Sequence, residues 1–268
     1  MIALLTALHL IHFNSNPGYD FPVGSEVKFN VKIEFDGFIP LFGGKVGKTD
    51  VDMVVRALGV ESKKSDHQTV DSEITELKAV AFGSTLPLNK NNIGQFFPRA
   101  KAVIEPNGVV TENDAPDVNM PVKLLGLDSR RLPEISYVPL LINVNAADAG
   151  KPYEFTRSFN GAPMKYKVTP TVQNETAEAF DIEISQDSNG FEDAYGNPAS
   201  EATARSKVKT VLTGNGKATF NLAKKLFDKV VVETNGETEV TNIKTGKTSK
   251  RSLKTTLTIL RDGVKMDK

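Results

Sequence analysis

The chain has 268 residues, 33 basic against 33 acidic side chains, no cysteine and no tryptophan. The absent cysteine excludes disulfides, thiolate metal sites, cysteine nucleophiles and cysteine-borne lipid anchors. Zero formal charge excludes a global field that would hold nucleic acid or an acidic membrane. The balance is uneven: Glu201 to Lys268 carries 15 Lys and Arg against 7 Asp and Glu, a net of +8, while Glu61 to Ser200 carries 13 against 20, a net of −7. These counts read as two opposed patches on one fold.

The first thirteen residues, MIALLTALHLIHF, are apolar apart from Thr6, His9 and His12. Their length fits the apolar part of a secretory signal and is too short to cross a bilayer. Residues 1–19 therefore read as a signal remnant, against a structural first strand or helix, with a mature start expected near Asn14 to Asp20. The domain then runs from residue 20 to 268.

EVKFNVKIEFD, from Glu26 to Asp36, alternates Val27, Phe29, Val31, Ile33 and Phe35 with polar residues. That is a strand with one buried and one wet face. TDVDMVVRALGV fits both a strand and a helix face, and its β neighbours favour the strand. Gln68 to Phe82 is a further extended run. Asn107-Gly108 and Asn235-Gly236 each sit between apolar runs and predict tight hairpins. Gly214-Asn215-Gly216 predicts another turn. Met164, Tyr166 and Val168 form a facing set with Phe180, Ile182 and Ile184. The last strand alternates Leu253, Thr255, Leu257 and Ile259. The spacing predicts a mainly β fold, a curved antiparallel meander or half-barrel, without βαβ units.

One stretch breaks the rhythm. Ala115 to Ile142 contains Pro116, Pro121, Pro133 and Pro139, which forbid a central strand, yet it holds twelve apolar residues between Met120 and Ile142. A segment that cannot pair into the sheet must pack across it, so it reads as a lid or crossover.

Chemical motifs are sparse. GGKVGKT lacks the first glycine of a phosphate loop, and NIKTGKT repeats its Gly-Lys-Thr in a polar hairpin, so both read as turns. DSNGFEDAYGN gathers oxygen ligands, but its glycine falls at the fourth position where a calcium loop needs the sixth. It reads as a solvated turn. His67 is the sole imidazole beyond the leader, and no Gly-x-Ser-x-Gly elbow accompanies it. The cluster Lys244, Lys247, Lys250, Arg251 and Lys254 lacks interleaved aromatics and reads as a solvated edge. No catalytic residue, metal ligand or cofactor is assigned, although Asp/Glu chemistry would leave no signature.

The apolar start, the meander from Glu26, the Pro-rich insertion from Pro116 to Ile142, and the final run from Gly214 to Leu260 together resemble exported bacterial β-rich proteins of uncharacterised function. They also resemble the half-barrel of the periplasmic lipoprotein carriers. The resemblance implies a curved sheet holding an acyl chain or other apolar ligand beneath a lid, although the lipidation cysteine is missing. On that reading the chain is a periplasmic or extracellular, non-enzymatic binding module for a lipid-like molecule. The ligand would be lined by Leu124, Leu125, Leu127, Tyr137 and Leu140 of the lid and by Phe29 and Phe35 of the sheet. The alternative is a structural or cell-surface interaction domain whose lid completes the core.

Overall fold

The computed structural model describes residues 18–39, 45–116, 118, 129–145, 150–159, 162–174, 176–194 and 199–265. Twelve strands appear in chain order: β1 (Glu26–Ile39), β2 (Lys45–Val60), β3 (Gln68–Ala81), β4 (Ser84–Thr85), β5 (Ala100–Ile104), β6 (Val110–Asn113), β7 (Tyr153–Phe159), β8 (Ala162–Gln173), β9 (Ala177–Glu192), β10 (Ser206–Asn221), β11 (Leu226–Asn242) and β12 (Thr248–Arg261). A one-turn helix, α1 (Ile93–Phe96), lies between β4 and β5. All strands join one antiparallel sheet in the order β6-β5-β3-β2-β1-β12-β11-β10-β9-β8-β7, with β4 hydrogen-bonded to β3. The sheet does not close into a barrel.

This order carries a consequence that local pattern does not reveal. The chain starts in the middle of the sheet, meanders out to the β6 edge, and re-enters at the opposite edge as β7. It then meanders back until β12 pairs with β1, Ile259 opposite Val31. Of the connection between these two edges, the described residues 129–145 form a crossover on one face, their turn Pro133–Tyr137 packing on β1 and β12. Pro133 and Pro139 keep this part out of the sheet, as its composition implies.

The alternation expected in β1 holds: Phe29, Val31, Ile33 and Phe35 are buried while Lys28 and Lys32 are exposed. The ambiguous second segment is strand β2, with Val51, Met53, Val55 and Ala57 buried. In β3 a bulge opposite Val54/Val55 inserts one residue. The inward set therefore switches from Val70 and Ile74 to Leu77, Ala79 and Ala81. Tyr166 faces Ile184 and Val168 faces Ile182, as the pattern implied.

The turn at Asn107-Gly108 is real but built differently from a turn centred on those two residues. Gly108 N–H donates to Glu105 O, Glu105 N–H to Val109 O, and only Gly108 has positive φ (94°). Pro106-Asn107 is thus the turn centre, with Gly108 as the following left-handed residue. Two other expected turns do not exist. β10 runs straight through Gly214-Asn215-Gly216, and β11 through Asn235-Gly236. Close packing explains the first pair: a Cβ on Gly214 would lie 2.7 Å from Glu233 O, and one on Gly216 2.5 Å from Val231 O. These glycines let neighbouring backbone approach rather than reverse the chain. Asp187 to Glu192, read as a turn loop, continues strand β9.

The outer face corrects the expectation of two opposed charge patches. Charges there alternate strand by strand: Lys165 and Lys167 on β8, Asp181 and Glu183 on β9, Lys209 and Lys217 on β10, Glu233 and Glu237 on β11, Lys250 and Lys254 on β12. Cross-strand pairs follow, Lys167–Glu183 at 2.9 Å and Lys254–Glu233 at 3.1 Å among them. Of the basic cluster read as an edge, Lys250, Arg251 and Lys254 lie on central strand β12, while Lys244 and Lys247 lie in the turn between β11 and β12. Exposed pairs of this kind add little stability each, but they define a wet, register-specific face. The opposite face must then carry the core.

The expected leader, residues 1–19, lies outside the described residues except for Gly18 and Tyr19. Tyr19 is a core residue, and its hydroxyl donates to Leu140 O at 2.6 Å. The folded unit therefore begins by Tyr19, before the boundary read from sequence.

Glu178 is a polar member of the inner face, 8% exposed and opposite Phe220. Burial raises its carboxyl pKa above the ordinary value. Its ionised form is thus disfavoured in the fold, so stability should rise as pH falls through the folded pKa toward the unfolded value near ~4.3. Glu178→Gln should be more stable than wild type at pH 8, with the gap closing across that window in urea titrations. A gap that does not change with pH would refute this.

Candidate functional site: the inner face of the sheet

The inner face has two regions along the strand direction. In the lower region the rung Ile259–Val230–Ala218–Phe180 is fully buried. Tyr19, Phe220, Phe227 and Phe180 pack there edge-on or tilted, with ring centroids 5.1–6.0 Å apart. The crossover closes this region, its turn Pro133–Tyr137 packing on β1 and β12.

Prolines deny the crossover a ladder partner, so each buried carbonyl needs another donor. Arg157, inward on β7, donates Nη2 to Val138 O at 3.0 Å and Nη1 to Pro139 O at 2.6 Å. Tyr19 takes Leu140 O, and the Tyr153 hydroxyl takes Leu141 O at 2.9 Å. Four consecutive carbonyls are thus held by three side chains from outside the segment. Ile142 N–H finishes the clamp on Asn107 O at 2.8 Å. Burial pushes the Tyr19 and Tyr153 hydroxyls well above the usual phenol range, which keeps them neutral donors. From Val138 to Ile142 the crossover is a fixed strap.

The upper region differs. Leu253 lies opposite Gly236, Gly236 opposite Leu212, and Leu212 opposite Gln186. The rung below is Thr255–Thr234–Gly214–Ile184, and the rung above is Arg251–Thr238–Thr210–Ser188. Leu212, Leu253 and the threonines are half-buried. The Thr210 and Thr238 hydroxyls are 3.0 Å apart. Arg251 Nη1 donates to Glu192 Oε2 at 2.8 Å, and its guanidinium lies 4.4 Å from the Phe38 ring centroid. A Cβ on Gly236 would meet only Leu253 O at 3.7 Å and Leu212 Cδ1 at 3.8 Å, so this glycine leaves space above the sheet. The surface grades from leucine through threonine to an ion pair within a few rungs. That suits a molecule with an apolar body and a polar end.

Among the predicted lining residues, Leu124, Leu125 and Leu127 lie outside the described residues. Phe29, Phe35, Tyr137 and Leu140 all belong to one buried core cluster, at 0%, 8%, 0% and 1% exposure. Only Phe35, opposite Thr255, borders the upper region. Sequence reading did not assign this region as a site: Leu212 was not singled out, Gly236 was read as a turn, Arg251 as part of a solvated cluster, and Leu253 only as one face of the last strand. For Leu212 and Gly236 the signal was the inward alternation that continues on both sides of the glycines of β10 and β11. His67 sits 2.8 Å from Asp66 in a hairpin, and among the described residues no group of three His, Asp or Glu is placed to hold a metal.

No family model matches the chain, and no curated protein matches it. Among solved structures it is similar to a chain of lipovitellin, from work described as lipid–protein interactions in lipovitellin. That likeness covers 93% of this chain and 26% of the lipovitellin chain, at 11% identity and a TM-score of 0.51. This chain thus spans about a quarter of that protein, and the likeness is one of fold. A conserved protein of unknown function with a hot dog fold from Alicyclobacillus acidocaldarius aligns over 91% of this chain and 81% of its own, at 13% identity. Its TM-score of 0.13 carries no statement about this fold.

Proposed function

We propose that this chain is an exported, non-enzymatic binding module that holds an amphipathic, lipid-like molecule on the upper inner face. The apolar body lies on the Leu253–Gly236–Leu212 rung, and the polar end meets the threonine hydroxyls and the Arg251–Glu192 pair. The observation that carries the reading is the half-buried Leu–Gly–Leu rung, where a glycine with room for a side chain keeps the surface clear. A wet, charge-striped outer face leaves the inner face as the place for an apolar ligand. The lipovitellin likeness adds that this architecture serves a protein described by its lipid interactions. The leader-like start supports export to the periplasm or the exterior.

The rival reading, a structural or interaction domain, differs in one measurable respect. A fluorescent fatty-acid analogue should bind delipidated wild type saturably, and Gly236→Phe should weaken it by roughly tenfold or more while keeping the wild-type unfolding midpoint. No saturable binding to wild type, with no lipid co-purifying in native mass spectrometry, would leave the structural domain as the better account.

A further inference from the structure

The two sheet edges are treated differently. β6 is only four residues long, and beside it the Asn113 side-chain amide donates to Arg130 O. β7 spans seven residues, Tyr153–Phe159, with no proline and no lysine. Short strands, prolines and lysines are usual protections of an edge, and β7 has none of them; its inward charge, Arg157, is bonded to the crossover carbonyls.

The register identifies which β7 backbone groups face outward. β7 pairs with β8 from Tyr153↔Val168 to Phe159↔Ala162. The two-residue connection makes Phe159/Ala162 a hydrogen-bonded pair, so the odd-numbered residues of β7 bond to β8. Two observations agree: Ser158 lies opposite Pro163, which has no N–H to give, and Ser158 O instead accepts from Arg131 Nη1 at 3.1 Å. The N–H and C=O of Glu154, Thr156 and Ser158 therefore point away from the sheet. Among the described residues, nothing pairs with those of Glu154 or Thr156.

We infer that this edge is a self-association surface, on which a second copy of this chain adds its own β7 antiparallel about a two-fold axis at Thr156. In that register Glu154 lies opposite Ser158 of the second copy, Thr156 opposite its equivalent, and Phe155 opposite Arg157. No like charges meet. Phe155 and Arg157 are already compatible neighbours, with the guanidinium 5.5 Å from the ring centroid within one chain. Both copies keep their inner faces on the same side of the joined sheet, whereas a slip of one residue would invert one copy. Pairing β7 with β7 is isologous and closes at a dimer; β7 on β6 would propagate. Ser158 O keeps a second lone pair for the new ladder beside Arg131.

The test uses the full chain, independently of ligand binding. Sedimentation equilibrium from about 1 to 100 μM should show a reversible dimer for wild type. Thr156→Pro removes an outward N–H while sparing every bond to β8, a placement that edge strands tolerate, and should be monomeric with the wild-type unfolding midpoint. Thr156→Lys places two ammonium groups face to face across the axis without touching the backbone, and decides the matter should the proline variant fail to fold. It should raise the dimer dissociation constant by at least tenfold. A wild-type monomer throughout that range, or a dimer unaffected by Thr156→Lys, would overturn the inference.

Discussion

Tyr137→Ala should lower the stability of the fold by about 3–5 kcal/mol, the range for deleting a large aromatic from a packed core. Tyr137 is fully buried on the crossover, and Phe21 packs edge-on to it at 5.7 Å between centroids. Its hydroxyl has one long contact, 3.3 Å to Ser72 Oγ, and Ser72 Oγ also reaches Ala100 O at 3.4 Å. Tyr137→Phe should therefore cost about 1 kcal/mol or less. Urea unfolding of the pair separates ring from hydroxyl. If the alanine variant lost less than about 1 kcal/mol, the crossover would not be part of the cooperative core.

Arg157→Ala should cost about 2–3 kcal/mol, because it leaves the buried carbonyls of Val138 and Pro139 without donors. The planar fork matters as much as the charge. Arg157→Lys presents a point donor that cannot serve both carbonyls in the same geometry, so it should fall between alanine and wild type. Limited proteolysis adds a local readout, with cleavage between residues 129 and 145 accelerating in both variants before global unfolding. A wild-type unfolding midpoint and cleavage rate in Arg157→Ala would show that other contacts hold the strap.

Together these variants distinguish a fixed crossover from a moving lid. A lid would exchange its carbonyl partners with solvent as it opened. Here Arg157, Tyr19 and Tyr153 reach the segment from three separate places in the chain, and Ile142 is tied to the β5–β6 hairpin. The binding reading therefore rests on the upper rungs rather than on motion of the strap.

What the amino-acid sequence determined by itself was everything set by near neighbours. Period two in Val27 to Phe35 and in Leu253 to Ile259 assigns two faces without reference to any partner, because side-chain direction alternates along an extended backbone. The prolines at 133 and 139 expel their segment from the ladder for an equally local reason, a missing N–H. Zero cysteine leaves stability to the core. The site was less legible: Tyr137, Leu140 and Phe29, read as lining a ligand, lie in the buried core cluster, and the alternation through Leu212 and Gly236 was hidden by the glycines of β10 and β11. Whether a glycine turns the chain or admits a neighbouring strand depends on what lies beside it. A Cβ on Gly214 or Gly216 would come within 3 Å of a β11 carbonyl oxygen, and only the pairing of separate strands puts those carbonyls there. The same non-local pairing interleaves acidic β9 and β11 with basic β10 and β12, turning two apparent patches into stripes. It also brings β12 back to β1, sends the crossover over the inner face, and leaves β7 as the last strand of the sheet, unpaired on its outer side among the described residues. These outcomes were decided by tertiary structure, because register and strand order are properties of pairs of segments and no single segment encodes its partner.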